Sequence, residues 1–287
     1  MLGSIIGDII GSTYEVKEVE AIKNNIDKKR NYEERIKILD NNTPLFTEDS
    51  SYTDDSVLTT AIADAILNNL DYGLCLKTYG LNELDLGMDK YGRSRFGKGF
   101  CDWLQGKGEG NSYGNGSAMR ISPIGFLFND IETIKNEVKL ATIPSHNNIE
   151  AIKGAEAVAI TIYLARIGKS QEEIKKYIED NYYKLDYKLE DLQKNYRFSS
   201  KCSNSVPQTL FCFLESNSFE DAIRKSISIG GDSDTIAAIV GGISEAYYGI
   251  PENLITEVEK YIPDYIKEVL KQFYNLSVVK KLSLRRE

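Results

Sequence analysis

Apolar residues recur at the spacing of an α-helix along most of this sequence, and the alternation typical of β-strands is almost absent. The pattern is clearest in residues 57–70, 149–167 and 235–248, which we expect to be buried helices. The last of these is rich in alanine and glycine, so other helices can approach it closely, and it should lie near the centre of the molecule. The periodicity therefore predicts an all-α fold.

More polar helices and the loops between them complete the predicted organisation. The helices are expected around residues 130–142, 170–181, 205–215, 219–228 and 257–274, and the loops around 40–52, 89–96, 106–116 and 195–204. The charged stretch 17–39 is ambiguous. Gly3, Gly7 and Gly11 recur every fourth residue, which places small residues on one helix face and predicts close packing against another helix. Because no linker-like break or internal repeat occurs, we expect one compact domain over residues 1–287.

The composition argues against several classes of protein. The chain has 287 residues, of which 41% are hydrophobic, enough for a proper core. A net charge of −8 and a pI near 5.0 argue against a protein that binds nucleic acid by neutralising phosphates. The four cysteines lack zinc spacing and there is one histidine, which argues against a metal site of nitrogen and sulfur ligands. With no signal-peptide pattern and no apolar run of membrane-spanning length, we expect a soluble cytoplasmic protein without a membrane role.

Two acidic clusters, far apart in the sequence, give the strongest indication of chemistry. Thr-Asp-Asp-Ser occupies residues 53–56 and Gly-Gly-Asp-Ser-Asp-Thr occupies residues 230–235, and each runs directly into a predicted helix. Helix capping is an alternative explanation of either cluster, but it accounts for only one carboxylate in each. Carboxylates packed this densely repel one another unless a cation lies between them, and hard divalent cations prefer oxygen ligands. If the fold brings the clusters together, four carboxylates converge on one metal site.

Three further features could contribute to a binding cleft. Glu15 follows what looks like the end of a glycine-rich helix, where it should face a cleft, although an isolated glutamate is more commonly a solvated surface residue. Residues 111–120 (Asn-Ser-Tyr-Gly-Asn-Gly-Ser-Ala-Met-Arg) enter a helix with small residues, which suits an anion but also describes an ordinary turn. They lack the lysine of a Walker motif. His146 precedes the 149–167 helix, where it could donate to a phosphate or a ribose, or could be an ordinary satisfied histidine.

The order and spacing of these motifs resemble those of the ADP-ribosylglycohydrolase family over nearly the whole chain. The matching segments are residues 7–12 (Gly-Asp-Ile-Ile-Gly-Ser), 52–56 (Tyr-Thr-Asp-Asp-Ser), 113–120 (Tyr-Gly-Asn-Gly-Ser-Ala-Met-Arg), 145–147 (Ser-His-Asn), 230–235 (Gly-Gly-Asp-Ser-Asp-Thr) and 249–252 (Gly-Ile-Pro-Glu). The resemblance implies a single all-α domain that holds two Mg²⁺ or Mn²⁺ ions at the base of a cleft.

The resemblance also implies roles for individual residues. The implied metal ligands are Thr53, Asp54, Asp55, Asp232, Asp234 and Thr235. The implied catalytic residues are Asp55 and Glu15, the latter matching a glutamate beside the metals and the scissile ribose carbon. The implied substrate-binding residues are Ser112, Tyr113, Gly114, Asn115, Gly116 and His146, with Gly97 and Gly99 matching a second glycine loop more loosely.

The function implied by the resemblance is metal-dependent hydrolysis of the glycosidic bond between ADP-ribose and an acceptor. The acceptor would be a protein side chain or a small molecule, ADP-ribose would be the product, and nucleic acid would be a partner only as a modified substrate. We expect a monomer. Two alternatives remain at this point: a catalytically silent ADP-ribose-binding or structural protein on the same scaffold, and a metal-dependent phosphohydrolase that acts on a nucleotide.

Overall fold

The described part of the chain is folded almost entirely into helices and the loops that connect them. The computed structural model describes residues 1–23, 28–88 and 94–276, and it gives side chains for residues 1–15, 32–88 and 94–276. No strand forms within these ranges, so the all-α prediction is confirmed. Apolar side chains from α1 and from α3 to α16 form one continuous core. The α-helices are α1 (Leu2–Lys23), α2 (Lys28–Ile36), α3 (Asp54–Asn68), α4 (Tyr72–Asp85), α5 (Lys98–Leu104), α6 (Gly116–Met119), α7 (Ser122–Leu127), α8 (Ile131–His146), α9 (Ile149–Arg166), α10 (Gln171–Asn181), α11 (Leu189–Asn195), α12 (Cys202–Leu214), α13 (Phe219–Ser228), α14 (Ser233–Tyr248), α15 (Glu252–Val258) and α16 (Asp264–Asn275).

The glycine-lined face of α1 packs against α14 at the centre of the molecule, as the glycine spacing predicts. A Cβ atom added at Gly3, Gly7 or Gly11 would lie 2.4 Å or less from a backbone oxygen of α14, closer than real Cβ atoms approach. Helix α14 is buried over residues 233–246. Because Gly11 contacts the first turn of α14, this seam places the acidic cluster 230–235 beside the middle of α1.

The first acidic cluster begins α3. Thr53 is the N-cap residue, and its Oγ1 accepts a hydrogen bond of 3.3 Å from the backbone N–H of Asp55. Asp54 and Asp55 occupy the first turn, where negative charge is favoured by the helix dipole. The helix therefore begins earlier than predicted and includes both aspartates. Thr53 therefore accounts for the N-cap of this helix, and the carboxylates of Asp54 and Asp55 are not needed for that role.

The other predicted elements agree with the structure in most places. The helices predicted at 130–142, 149–167, 170–181, 205–215 and 219–228 correspond to α8, α9, α10, α12 and α13. The single helix predicted at 257–274 is wrong, because Pro263 caps a new helix and the segment divides into α15 and α16. The helix end predicted before Glu15 is also wrong, because α1 continues to Lys23.

Two predicted segments are only partly covered by the described residues. The ambiguous stretch 17–39 contains the end of α1, all of α2 and a 3₁₀ turn, with residues 24–27 outside the described ranges. The predicted loop 89–96 has residues 89–93 outside them. Among the helices that are described, none is long and apolar enough to cross a lipid bilayer.

Candidate active site

A cavity of about 560 Å³ lies beside the N-termini of α3 and α14. It is lined by residues of both acidic clusters, by residues 94–100, by the loop that precedes α6, and by the end of α8. The site residues predicted from the sequence that line it are Glu15, Thr53, Asp54, Asp55, Gly97, Gly99, Ser112, Gly114, Asn115, Gly116, His146, Asp232, Asp234 and Thr235. Tyr113 is the predicted site residue that does not.

Carboxylate oxygens converge in two groups at the acidic end of the cavity. Asp8, Asp55 and Asp234 form one group and Glu15, Asp232 and Asp234 form the other, with the oxygens in each group lying within 4.8 Å of one another. Asp234 belongs to both. The fold therefore brings the two acidic clusters together and adds carboxylates from α1 to them.

Backbone geometry and hydroxyl groups hold these carboxylates in place. Gly230 and Gly231 have φ angles of 73° and 81°, a left-handed conformation that favours glycine, and they turn the chain from α13 into α14. Thr235 Oγ1 donates a hydrogen bond of 3.2 Å to Asp55 Oδ2, which links the two acidic clusters directly. Gly230 and Gly231 thus allow the tight turn that orients the carboxylates of Asp232 and Asp234.

Asp8 is a component of the site that the sequence analysis did not identify. It is fully buried on α1, and its two oxygens accept four hydrogen bonds from the first turn of α3. Thr53 donates from its backbone N–H at 2.9 Å and from Oγ1 at 2.6 Å, and Ser56 donates from its backbone N–H at 3.1 Å and from its hydroxyl. A charged residue among the apolar and glycine positions of a central helix was the signal available in the sequence. Its contacts make Asp8 a residue that orients Thr53.

Burial and mutual repulsion shift the titration of the acidic residues. The pKa values of Asp54 and Asp55 are raised well above the usual range, first by burial and then by the charge of Asp234. The pKa of Asp234 is raised well above its usual range by burial and then by Asp232. Burial raises the pKa of Asp232 to about 6, opposed by a hydrogen bond from Asn115. Burial and repulsion thus oppose the ionisation of these carboxylates, and positive charge beside them would favour it.

The chemistry of the acidic groups fits divalent cations. Asp55 Oδ1 is buried and has no hydrogen-bond partner among the described residues, although its other oxygen is bonded. An unsatisfied buried carboxylate oxygen is costly unless a cation or donor completes it. The potential ligand atoms are carboxylate and hydroxyl oxygens, which suit Mg²⁺ and Mn²⁺. Each of the two groups that share Asp234 could hold a metal ion.

The loop before α6 is connected to the acidic end of the cavity. Asn115 Nδ2 donates a hydrogen bond of 2.7 Å to Asp232 Oδ2, and both side chains are buried. The backbone N–H of Asn115 donates to the carbonyl of Ser200 at 2.7 Å, and isolated bridges pair Gly114 with Lys201 and residue 111 with residue 146. The contacts make Asn115 a support for Asp232, while its predicted role in substrate binding stays a prediction.

His146 lies beside this loop in the cavity wall and is the last residue of α8. It is buried, and its Nδ1 lies 2.8 Å from Ser145 Oγ. The pKa of His146 is lowered well below the usual value, first by burial and then by the charge of Arg120. The imidazole is therefore neutral, and it faces the loop through the edge that carries Nε2.

Of three further predicted residues, Gly97 and Gly99 line the cavity and Tyr113 does not. Gly97 is the N-cap residue of α5, and a Cβ atom at either Gly97 or Gly99 would meet open space, so no crowding requires glycine there. Tyr113 is 53% exposed, with Lys201 Nζ 5.5 Å from its ring centre. The roles of all three in substrate binding stay predictions.

Part of the cavity wall was not singled out from the sequence. Arg95 bonds to the carbonyl of Tyr52 at 3.2 Å, stacks over its ring at 4.6 Å and forms an ion pair of 3.1 Å with buried Glu83. Phe96, Phe100 and Phe198 add apolar rings to the lining. Arg95 and Phe96 directly precede the loosely matching glycines 97 and 99, but nothing in the sequence indicates the contacts of Arg95 with Tyr52 and Glu83, which join distant segments.

Known proteins resemble this chain in sequence and in fold. The sequence profile described as ADP-ribosylglycohydrolase matches residues 1–282. ADP-ribosylhydrolase ARH3 from Mus musculus is 25% identical over 324 aligned residues, which cover 88% of this chain and 83% of that protein. An uncharacterized protein from Archaeoglobus fulgidus is 28% identical over 178 residues, which cover 56% and 58% of the two chains. A solved structure described as an ADP-ribosylglycohydrolase-related protein complex matches with a TM-score of 0.66 and 17% identity, covering 96% of this chain and 95% of that chain.

Proposed function

This chain belongs to the ADP-ribosylglycohydrolase family, and on that premise we propose that it is a metal-dependent hydrolase that cleaves the glycosidic bond between ADP-ribose and an acceptor. The acceptor would be a protein side chain or a small molecule, and ADP-ribose would be the product. The observation that carries the proposal is the pair of carboxylate groups that share Asp234, because the group that includes Glu15 lines the cavity.

Two divalent cations, Mg²⁺ or Mn²⁺, are the proposed cofactors. The residues proposed to hold them are Thr53, Asp54, Asp55, Asp232, Asp234 and Thr235. When bound, the cations supply positive charge that orients substrate hydroxyls and polarises water. Asp8 supports this ligand set, because it accepts the hydrogen bond of the Thr53 hydroxyl. One lone pair of Thr53 Oγ1 accepts from the backbone N–H of Asp55, and the other is then available to a cation.

Glu15 is proposed as the general base. Its half-buried carboxylate lies within 4.8 Å of oxygens of Asp232 and Asp234 and lines the cavity. From this position it could hold a water molecule and take its proton as that water attacks the anomeric carbon of the ribose. The bond to the acceptor breaks as the new C–O bond forms, and the acceptor leaves with the electron pair.

The rest of the cavity is proposed to hold the nucleotide part of the substrate. The whole cavity has a volume of about 560 Å³, which is typical of a small-molecule site. Gly114 and Gly116 leave room in one wall of the cavity, and the His146 imidazole adds a polar group to it. The rings of Phe96, Phe100 and Phe198 provide apolar surface for flat groups. The loop is held by backbone hydrogen bonds on both sides, so it can bind without first being ordered.

Release of ADP-ribose tests the proposal. The protein would be incubated with ADP-ribosylated arginine peptides, serine peptides, O-acetyl-ADP-ribose and ADP-ribosylated nucleic acid, with Mg²⁺, Mn²⁺ or EDTA. We expect metal-dependent release from at least one substrate. Asp55→Asn should lose activity by about 10²-fold or more, since it removes a ligand charge. The matched control is Asp85→Asn, which changes an exposed carboxylate at the end of α4. Full activity in a folded Asp55→Asn protein would refute the proposal.

Two other outcomes would assign a different function. Calorimetry that shows tight binding of ADP-ribose, together with no turnover of any substrate, would favour a binding protein. Hydrolysis of a nucleotide phosphate that is undiminished in Glu15→Gln would favour a phosphohydrolase, which needs no glutamate facing the ribose. The predicted monomeric state is checked by light scattering, and the predicted cytoplasmic location by fractionation.

A further inference from the structure

Hydrogen bonds join three buried side chains in the cavity wall, Arg120, Ser145 and His146. Arg120 Nη2 donates hydrogen bonds to the carbonyl of Ala141 at 3.1 Å and to Ser145 Oγ at 2.9 Å. Ser145 Oγ in turn lies 2.8 Å from His146 Nδ1. Arg120 is fully buried, Ser145 is 3% exposed and His146 is 5% exposed. Water therefore has little access to the groups that decide which ring nitrogen carries a proton.

The protons in this chain can be assigned from what each group is able to do. An arginine only donates, so Ser145 Oγ must accept from Arg120. The hydroxyl proton of Ser145 then needs an acceptor, and His146 Nδ1 is the one that the described residues offer it. If Nδ1 carried a proton instead, the buried hydroxyl proton of Ser145 would be left without an acceptor, which is costly. The satisfied arrangement places the imidazole proton on Nε2.

The Nε2 edge of the imidazole faces Gly114 and Gly116 in the loop before α6, at the cavity wall. A Cβ atom added at Gly116 would lie 3.0 Å from Nε2, and one at Gly114 would lie 3.8 Å from it. Within the described part of the chain, no protein group is hydrogen-bonded to Nε2. Its partner must therefore come from the cavity, which both glycines and His146 line.

We propose that Arg120 and Ser145 are positioning residues that hold His146 as a neutral imidazole protonated on Nε2, and that this N–H donates a hydrogen bond to an oxygen of the ADP-ribose part of the substrate. The identity of the ligand rests on the proposed function, whereas the position of the proton does not. His146 thus donates a hydrogen bond in a fixed direction from an uncharged ring, so ligand binding does not depend on a positive charge on the imidazole. The lowered pKa of His146 agrees with this assignment.

Nuclear magnetic resonance can observe this histidine without ambiguity, because the chain contains one. Protein labelled with ¹⁵N-histidine would be examined by long-range ¹H–¹⁵N correlation at pH 7. We expect Nε2 to be protonated and Nδ1 to be unprotonated, both with and without ligand. Addition of ADP-ribose with Mg²⁺ should shift the Nε2–H resonance. A proton on Nδ1, a doubly protonated ring, or an Nε2–H resonance that ADP-ribose leaves unchanged would overturn the proposal.

A serine variant tests the positioning role. Ser145→Ala removes the donor to Nδ1, so the tautomer preference should weaken and the Kd for ADP-ribose should rise roughly three- to tenfold. In turnover assays KM should rise while kcat changes little, because the contact is made to a part of the substrate that does not react. The matched control is Thr142→Val, another buried residue of α8, whose hydroxyl has no partner among the described residues. Equal affinity and an unchanged tautomer in Ser145→Ala would refute the role of Ser145.

Failure of this inference can be distinguished from failure of the proposed function. If Ser145→Ala does not fold, the spectrum of the unmodified protein still decides the tautomer. A protonated Nε2 in a protein that releases ADP-ribose from no substrate would reject the proposed activity and keep the assignment of the proton. Turnover by a protein whose His146 is protonated on Nδ1 would support the proposed activity and reject the assignment of the proton.

Discussion

Asp8 accepts four hydrogen bonds from Thr53 and Ser56, three of them on Oδ2 and one on Oδ1. Asp8 also lies within 4.8 Å of oxygens of Asp55 and Asp234, which makes it a possible ligand by distance alone. The hydrogen bonds favour the orienting role. A carboxylate that receives four donors is better suited to orienting Thr53 than to binding a cation itself.

Replacement of Asp8 by asparagine should weaken metal binding more than it affects folding. The amide group of the variant carries two donors of its own, so it cannot accept all four hydrogen bonds from α3. Loss of such a supporting contact typically reduces metal affinity about 10- to 100-fold. Calorimetric titration with Mn²⁺ measures the change, with Asp85→Asn as control. An unchanged Kd for the metal would show that Asp8 does not orient the ligands.

Replacement of Glu15 by glutamine should separate catalysis from binding. The variant retains the size of the side chain but loses the ability to accept a proton from water. We expect kcat to fall by about 10²- to 10⁴-fold, with a change of less than about threefold in the Kd for ADP-ribose. Steady-state kinetics and calorimetry on the same preparation provide both values. A variant with kcat near that of the original protein would remove Glu15 from the mechanism.

At the scale of elements, the seam between α1 and α14 sets the geometry of the acidic site. The two helices are in backbone contact at three successive glycines of α1, and the last of these, Gly11, touches the first turn of α14. That turn carries Asp234, while α1 itself carries Asp8 and Glu15. The distance between the carboxylates from these helices therefore depends on how closely the helices approach at Gly11.

Alanine at the two ends of this seam should have different consequences. A Cβ atom at Gly3 would lie 2.3 Å from the carbonyl oxygen of Gly241, and one at Gly11 would lie 2.4 Å from that of Ser233. Both variants should lose about 2–3 kcal/mol or more in free energy of unfolding, because the helices must separate. Only Gly11→Ala should also weaken metal binding, since it displaces Asp234.

Urea denaturation and metal titration measure these two quantities. Gly99→Ala is the control, because its Cβ atom would meet open space in α5, and it should change stability by less than about 1 kcal/mol. Equal metal affinities for the Gly3 and Gly11 variants would show that the spacing of the seam does not control the site.

At the scale of the whole molecule, the acidic site couples stability to metal and pH. Burial raises the pKa of Asp232 to about 6, against 3.8 for an unperturbed aspartate, and it raises the pKa values of Asp54, Asp55 and Asp234 well above the usual range. Below pH 3.8 these groups are neutral in both folded and unfolded chains. As pH rises above 3.8, the unfolded chain releases these protons while the folded protein still holds them, until pH passes the folded pKa values. Their contribution to stability without metal is therefore lost as pH rises.

Thermal unfolding should show this loss as a dependence on metal. In EDTA, the four aspartates should lower Tm increasingly from about pH 4 to pH 7, whereas saturating Mg²⁺ should oppose the effect by binding the ionised carboxylates. The difference in Tm between the two conditions should grow by several degrees over this range. It should be smaller for Asp55→Asn. A difference that is independent of pH would contradict the coupling of these groups to metal.

Much of the fold could be predicted from the sequence, because helices leave local signals. The three apolar helices, the glycine face of α1 and most polar helices follow from periodicity, which neighbouring residues determine. The two errors are also local. Pro263 divided a predicted helix, and the glycines before Glu15 looked like a helix end although they line a helix contact. The ligand types of the acidic clusters were likewise readable from composition and spacing.

The sequence by itself determined which helices form and which segments carry oxygen ligands, since both depend on residues close together in the chain. Only the tertiary structure decided that Asp8 and Glu15 join the acidic clusters, that Asn115 supports Asp232, and that Tyr113 lies outside the cavity. It also decided the proton on His146, through a hydrogen-bond chain from Arg120. The physical reason is that these properties depend on distances, burial and hydrogen-bond partners between distant segments, which exist only once the helices have packed.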